Sequence, residues 1–203
     1  MLVSAPLVPA PLMSAEQPDS FPTKRPPVTD IARPEDHVPE TYRPEPPDAG
    51  GEREILAGFL DFLRATAVAK ADGLSDADAA RRLLPSLTTV SGLLRHLADV
   101  ERTWFREQMD GQSGVPTRWS DEEPDGEFLV GLEDSLAGII ADYEAACAES
   151  REVFSRYGLD DFCASGTAGH NVRWVLTHMI EETGRHCGHL DIVRELLDGA
   201  TGE

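Results

Sequence analysis

The chain has 203 residues, which is enough for one domain with an appendage, and 40% of them are hydrophobic, which is enough for a packed core. Its 37 acidic and 18 basic side chains give a net charge of -19, which argues against nucleic acid and anionic membrane surfaces as partners. The sequence has no apolar run of the roughly 18 residues that a membrane span needs. Three cysteines without a CxxC pair favour a reducing compartment, so we expect a cytoplasmic protein.

The distribution of prolines divides the chain near residue 50. Twelve of the 15 prolines precede residue 52, and prolines at this spacing prevent a helix. We therefore predict a disordered proline-rich arm over residues 1–50 and one domain over residues 51–203. Residues 1–12 are apolar but carry no basic residue, so they make a poor secretory signal. These residues leave open whether translation starts at Met1 or at Met13.

Beyond residue 51 the apolar residues recur with a helical period. The pattern predicts long helices over about 52–70, from Thr88 or Thr89 to about 110, over about 135–157, and from Asn171 to 197, with a short helix after Ser75. Residues 111–134 are predicted to form a long loop containing Trp119, and loops of this length usually carry function or are disordered. Four long helices without a paired strand predict an all-α fold, a four-helix bundle. The side chains predicted to face inward are Ile55, Phe59, Phe62, Leu63 and Thr66 on the first long helix and Ile139, Ile140, Tyr143, Ala146 and Val153 on the third.

The last long helix carries ionisable residues on its apolar stripe. Glu182 and His186 fall in the middle of this stripe, and His178 and His189 fall at its edge. A buried carboxylate without a partner costs several kcal/mol, so Glu182 needs a partner, and a divalent cation would compensate its charge. Glu182 and His186 are four residues apart, which brings their side chains together on successive turns in a spacing that chelates metals. The apolar members of the stripe are Val172, Val175, Met179, Leu190, Val193, Leu196 and Leu197.

A third metal ligand is expected from a facing helix. His96 borders the apolar stripe of the second long helix, so the sequence predicts a divalent metal site formed by His96, Glu182 and His186. Two competing interpretations remain: His96 is a hydrogen-bonded core histidine, and Glu182 and His186 form an ordinary intrahelical pair. Cys187 adjoins His186 but points about 100° away from it on a helix, so we do not count it as a ligand.

These residues also resemble the DinB/YfiT-like superfamily. The likeness is carried by GEREILAGFL at 51–60, LLRHLADVE at 93–101, WVLTHMIEE at 174–182 and RHCGH at 185–189, and it covers about residues 52–200. The superfamily pattern has one histidine on the second helix and an H-x-x-x-H pair on the last. His96 and His186 match it, whereas Glu182 stands where many members have histidine. A carboxylate at this position is similar to the mycothiol-dependent maleylpyruvate isomerase branch.

The resemblance implies zinc or a related divalent ion on three protein ligands with open water positions, and a homodimer. It also implies an S-transferase that activates a low-molecular-weight thiol such as mycothiol for transfer to a small electrophile. His189 or His178 would then act as a proton shuttle, because imidazole titrates near neutral pH. The alternatives are a non-enzymatic metal-binding or stress-associated protein on the same fold and a purely structural bundle with hydrogen-bonded core histidines.

Overall fold

The described part of the protein is built of helices. A computed structural model describes residues 43–131, 133–165 and 169–201. A π-helical segment, Arg102–Met109, continues the third α-helix, and a short 3-10 helix, Gly126–Phe128, interrupts the following loop. Within these ranges the β-pairing is limited to one isolated bridge between Phe162 and Asn171, so the predicted all-α bundle is confirmed. The α-helices are α1 (Glu52–Ala69), α2 (Asp76–Ala79), α3 (Val90–Glu101), α4 (Leu136–Ser155) and α5 (Val172–Asp198).

Local capping residues begin four of these helices. The side chain of Thr89 accepts a hydrogen bond from the backbone N–H of Gly92, and Ser75, Ser135 and Asn171 make the equivalent contact three residues ahead at α2, α4 and α5. Gly199 ends α5 in a left-handed conformation, with φ of 79°, that favours glycine. The predicted helix starts at Ser75, Thr89 and Asn171 are confirmed.

The last residues of the predicted arm pack on α1. A Cβ atom added to Gly58 would lie 2.5 Å from Cδ of Pro47, which shows how closely the chain crosses the helix here. The guanidinium of Arg43 lies over the ring of Phe62, 5.4 Å from its centroid. Residues 1–42 of the predicted arm, with both candidate starts, lie outside the described residues, so the domain boundary at residue 50 stays a prediction.

A layer of polar side chains divides the core of the bundle. Helix α1 packs on α5, α3 packs on α4, and α3 also packs on α5. One apolar cluster contains buried residues of α5 between positions 187 and 193, and the other contains buried residues of α5 between positions 172 and 179. The other long helices also contribute one end to each cluster. No helix in the described ranges is long and apolar enough to cross a membrane. The buried polar residues between the two clusters are Arg64, Glu101, Ser150, Glu182, Thr183 and His186.

The predicted buried stripe of α1 was wrong in part. Phe59 is 45% exposed, whereas Leu60 and Arg64 are buried. Arg64 donates to both carboxylate oxygens of Glu101, at 2.7 Å and 2.6 Å. Because a buried guanidinium requires such a partner, this pair turns Arg64 inward and Phe59 outward. Helix α5 has one similar exception, since Leu196 of its predicted stripe is 55% exposed.

Candidate metal centre

Three side chains from α3 and α5 meet in the polar layer. Nε2 of His96 lies 3.2 Å from Oε1 of Glu182, and Nε2 of His186 lies 3.0 Å from the same oxygen. One ligand atom from each of the three residues lies within 4.8 Å of the others. Glu182 and His186 are buried, while the side chain of His96 is 20% exposed, so the cluster reaches solvent at one edge. The structure thus brings together the three residues that the sequence nominated as ligands.

The backbone explains how this cluster forms. Glu182 and His186 are four residues apart on α5, so their side chains lie one above the other on the face that packs against α3. His96 comes from the facing side of α3, where its ring meets that of His186 edge-on with 4.7 Å between the centroids. Two adjacent turns of one helix and one position on its neighbour therefore supply the whole donor set.

Both imidazoles have a further contact on their outer nitrogen. Nδ1 of His96 lies 3.3 Å from Oε1 of Glu127, and Nδ1 of His186 lies 3.3 Å from Nδ1 of His189. When each imidazole donates its Nδ1–H outward, both Nε2 lone pairs point at the Glu182 carboxylate. Three lone-pair donors in that position repel one another unless a cation lies among them.

This donor set fits a divalent ion. Two imidazole nitrogens and one carboxylate oxygen are ligands that zinc and related ions accept in proteins, and three such ligands leave a coordination position open. Glu127 and Glu182 are two buried carboxylates, and the guanidinium paired with Oε2 of Glu182 belongs to Arg185, whose side chain is 52% exposed. The negative charge of the site therefore favours a cation.

Hydrogen bonds shift the protonation of the cluster. Without a bound cation, the Nε2–H groups of His186 and His96 can instead donate to Glu182, and these hydrogen bonds lower the pKa of Glu182 far below its usual value, although burial acts in the opposite direction. Burial disfavours the charged form of His96, but the hydrogen bonds to Glu182 and Glu127 outweigh it and raise the pKa of His96. The carboxylate is therefore held in the ionised form that binds a metal.

Glu127 is a site residue that the sequence did not reveal. It lies in the predicted long loop, which the sequence singled out for Trp119, and its side chain is buried with Oε2 lacking a hydrogen-bond partner in the structure. A Cβ atom added to the preceding Gly126 would lie 2.1 Å from the carbonyl oxygen of Arg118, so only glycine lets the loop pass there. The loop has no periodic pattern of apolar residues. The adjacent pair Gly126–Glu127 was therefore the one feature of the sequence that could have pointed to this contact.

A salt bridge and a ring contact hold this loop on α3. The backbone N–H of Arg118 donates to Oδ2 of Asp99 at 2.8 Å, and the guanidinium of Arg118 donates to the other oxygen. The ring of Phe128 stacks on His96 with 5.4 Å between the centroids. The loop therefore presents Glu127 to His96 from a fixed position.

The two histidines nominated as proton shuttles lie in different surroundings. His189 is exposed and touches His186, and its pKa is lowered by burial and by the nearby charges of His186 and Arg185. The ring of His178 instead contacts Trp104 and Trp174, with centroids 4.6 Å and 5.2 Å away. The structure brings His189 to the ligand cluster, and it engages His178 in an aromatic group.

Cys187 is directed away from the cluster. Its thiol is buried and donates to the carbonyl oxygen of Leu63 at 3.4 Å, and burial raises the pKa of Cys187 to about 12. This thiol is neutral and held on α1, which agrees with its exclusion from the predicted ligands.

The contact between Glu127 and His96 can be tested by metal affinity. We expect Glu127→Ala to weaken the binding of a divalent ion by about 10- to 100-fold, because His96 loses the acceptor that fixes its tautomer and orientation. Glu127→Gln keeps an acceptor oxygen and should lose less. Competition with a chromogenic chelator measures the affinity, and Asp125→Ala in the exposed part of the same loop is the control. Equal affinities for Glu127→Ala and Asp125→Ala would rule out the orienting role.

Comparisons with known proteins agree with this fold. The family profile of mycothiol-S-transferases matches residues 55–199, a range that includes His96, Glu182 and His186. No curated protein sequence matches the chain. A conserved protein from Enterococcus faecalis has a similar solved structure, with a TM-score of 0.55 and 16% identity over 75% of this chain and 100% of that chain. At this identity the structural likeness concerns the fold alone. The profile match covers more than half of the sequence, and the chain therefore belongs to the mycothiol-S-transferase family, within the DinB-like superfamily that its motifs resemble.

Proposed function

We propose that this protein is a divalent-metal-dependent S-transferase that moves a low-molecular-weight thiol, mycothiol, onto a small electrophile. The observation that carries the proposal is the meeting of His96, Glu182 and His186 at an edge of the bundle that reaches solvent. Membership of the mycothiol-S-transferase family supports the choice of thiol. Zinc is the proposed ion, since it accepts this nitrogen and oxygen donor set and has no redox chemistry of its own.

In this proposal the chain's own residues hold and orient the reacting groups. A divalent ion bound at the site would supply Lewis acidity, which lowers the pKa of a coordinated thiol toward neutral pH. Glu127 and His189 keep the outer nitrogens of the two imidazoles engaged, 3.3 Å away in each case, so the ligands are oriented before the thiol arrives. Arg185 pairs with the outer oxygen of Glu182 and fixes the rotamer of that carboxylate.

The proposed reaction is either a substitution or an addition. In the substitution, the S–H bond of the thiol breaks and an S–C bond forms, while the leaving group departs with the electron pair of its bond to carbon. In the addition to an activated double bond, the sulfur bonds to one carbon and a proton ends on the neighbouring carbon. Both require a group that takes the thiol proton. His189 is the proposed acceptor because it is exposed next to the cluster, with its contact to His186 opening as the proton is taken up. His178 is the second proposed acceptor.

We further propose a homodimer in the cytoplasm. Cys147, Cys163 and Cys187 are all buried free thiols, which suits a reducing compartment where mycothiol is itself reduced. Sedimentation of the metal-loaded protein at micromolar concentration measures the oligomeric state.

The activity is tested with untagged, metal-loaded protein, mycothiol and a panel of small electrophiles, with the conjugate detected by mass spectrometry. We expect a conjugate to form faster than with metal-stripped protein, and faster with mycothiol than with glutathione or cysteine. His189→Gln and His178→Gln identify the proton acceptor, because its loss lowers kcat and alters the pH profile while the bound metal stays stoichiometric. A stoichiometric metal without turnover of any thiol would favour the alternative, a non-enzymatic metal-binding protein.

A further inference from the structure

Four aromatic rings lie together near the metal cluster: two on α5, one on the π-helical extension of α3, and one just before α5. The ring of Trp174 stacks on His170 at 3.7 Å and on His178 at 5.2 Å between centroids. Trp104 closes the group from α3's π-helical extension, 4.6 Å from His178 and 5.4 Å from Trp174. We name these four residues, Trp104, His170, Trp174 and His178, the ring group.

The helix geometry connects the ring group to the metal ligands. Trp174, His178, Glu182 and His186 follow one another at intervals of four residues along α5, so each lies one turn beyond the last in a row that rotates by about 40° at every step. The row on the facing helix runs from His96 through the half-buried Val100 to Trp104. The ring group therefore begins one turn, or about 6 Å, from Glu182 along the axis of α5.

The two sides of the ligand cluster differ in polarity. Toward the carboxyl end of α5 the neighbours are Arg185 and His189, which are both exposed and polar. Toward its amino end the neighbours are the rings, and 44% of the surface of Trp174 is exposed there. The exposed part of an aromatic ring can contact other planar groups, and stacked or edge-on ring pairs are favourable beyond simple burial of area.

We propose that the ring group is the subsite for the electrophile, and that it selects uncharged, planar, unsaturated or aromatic molecules. This inference rests on the proposed S-transferase function. A planar molecule that contacts the exposed parts of Trp174 and His178 extends toward Glu182, which lies one turn from His178 and two turns from Trp174, and so presents its reactive carbon to the thiol. The polar side of the cluster, with Arg185 and His189, is then left for the polar body of the thiol. Stacking against these rings orients the electrophile without any charged contact.

The subsite can be tested without turnover. The probe is 1,3-dinitrobenzene, a planar uncharged molecule without a leaving group, added to metal-stripped protein in the absence of thiol. Saturation-transfer NMR measures its binding. We expect Trp174→Leu to weaken binding about three- to tenfold, and Trp174→Phe, which keeps a ring for stacking, to lose less. Trp119→Leu is the matched control, because Trp119 is 45% exposed, like Trp174, but lies on the loop before α4.

The outcomes separate this inference from the proposed function. If Trp174→Leu weakens probe binding and Trp119→Leu does not, the subsite is supported, even if the metal-loaded protein transfers no thiol. Equal binding by wild type, Trp174→Leu and Trp119→Leu overturns the subsite, even if the loaded protein transfers mycothiol. If Trp174→Leu instead converts a dimer into a monomer and leaves probe binding unchanged, the ring group is an interface and the inference is wrong. Circular dichroism of each variant confirms that the bundle is folded.

Discussion

Replacing His96 by alanine should abolish stoichiometric metal binding. His96 is the one ligand that α3 contributes, and without it the cluster retains two donors that both come from α5. The loss should exceed the roughly 10- to 100-fold effect expected from removing an outer contact such as Glu127. Elemental analysis of protein purified without an affinity tag measures the metal content. The helix content should remain, since the side chain of His96 is 20% exposed and does not fill the centre of the core.

His178→Ala is the matched control for this experiment. It also removes an imidazole from a bundle helix, but its ring contacts Trp104 and Trp174 and not the ligand cluster. We expect His178→Ala to keep a full complement of metal. If His96→Ala kept its metal and His178→Ala lost it, the wrong ligands would have been chosen. Unchanged metal content in both variants would favour the interpretation of His96 as a hydrogen-bonded core histidine.

Breaking the buried ion pair of the polar layer should destabilise the bundle strongly. Arg64 is 5% exposed and Glu101 is fully buried, and two hydrogen bonds of 2.7 Å and 2.6 Å join them. Arg64→Met leaves the Glu101 carboxylate buried without its partner, which costs about 3–5 kcal/mol in comparable cases. The free energy of unfolding of the metal-stripped protein, measured by urea titration, should fall by that amount.

A double variant distinguishes a buried charge from a packing defect. Arg64→Met combined with Glu101→Leu removes both charges, so most of the lost free energy of unfolding should return. Arg173→Met is the surface control, because Arg173 pairs with Glu52 in a solvent-exposed position and its loss should hardly change the urea midpoint. If the double variant is no more stable than Arg64→Met alone, the cost comes from lost packing, and the electrostatic account fails.

Helix positions followed from the sequence because their determinants are local. Thr89, Ser135 and Asn171 accept backbone hydrogen bonds from residues three positions ahead, and Gly199 adopts a conformation that favours glycine at a helix end. None of these contacts depends on how the helices later pack. The match of the four-residue spacing of Glu182 and His186 to one helical turn is equally local, so these two candidate ligands could be nominated before any fold was known.

The orientation of α1 and the outer contact of His96 depended on the tertiary structure. Apolar residues occur on more than one side of α1, and the choice of its buried side was made by Glu101, a residue 37 positions away on α3. Glu127 lies 31 residues beyond His96 in a loop whose course is set by contacts to α3, so no pattern in its own segment could show that it is buried. The ring group arose in the same way, because Trp104 and Trp174 come together only when α3 and α5 pack.

The amino-acid sequence by itself determined the all-α class, the helix ends and a nominated set of three metal ligands, because periodicity, capping and spacing act over a few residues. Only the tertiary structure decided that His96 meets Glu182 and His186, that Glu127 contacts His96, and that the rings of Trp104 and Trp174 come together. These contacts join residues from different elements. They form only when distant segments of the chain come together, which costs conformational entropy, so no local pattern in the sequence reports them. For that reason the candidate ligands were predictable, whereas the outer contacts of their imidazoles and the aromatic ring group were not.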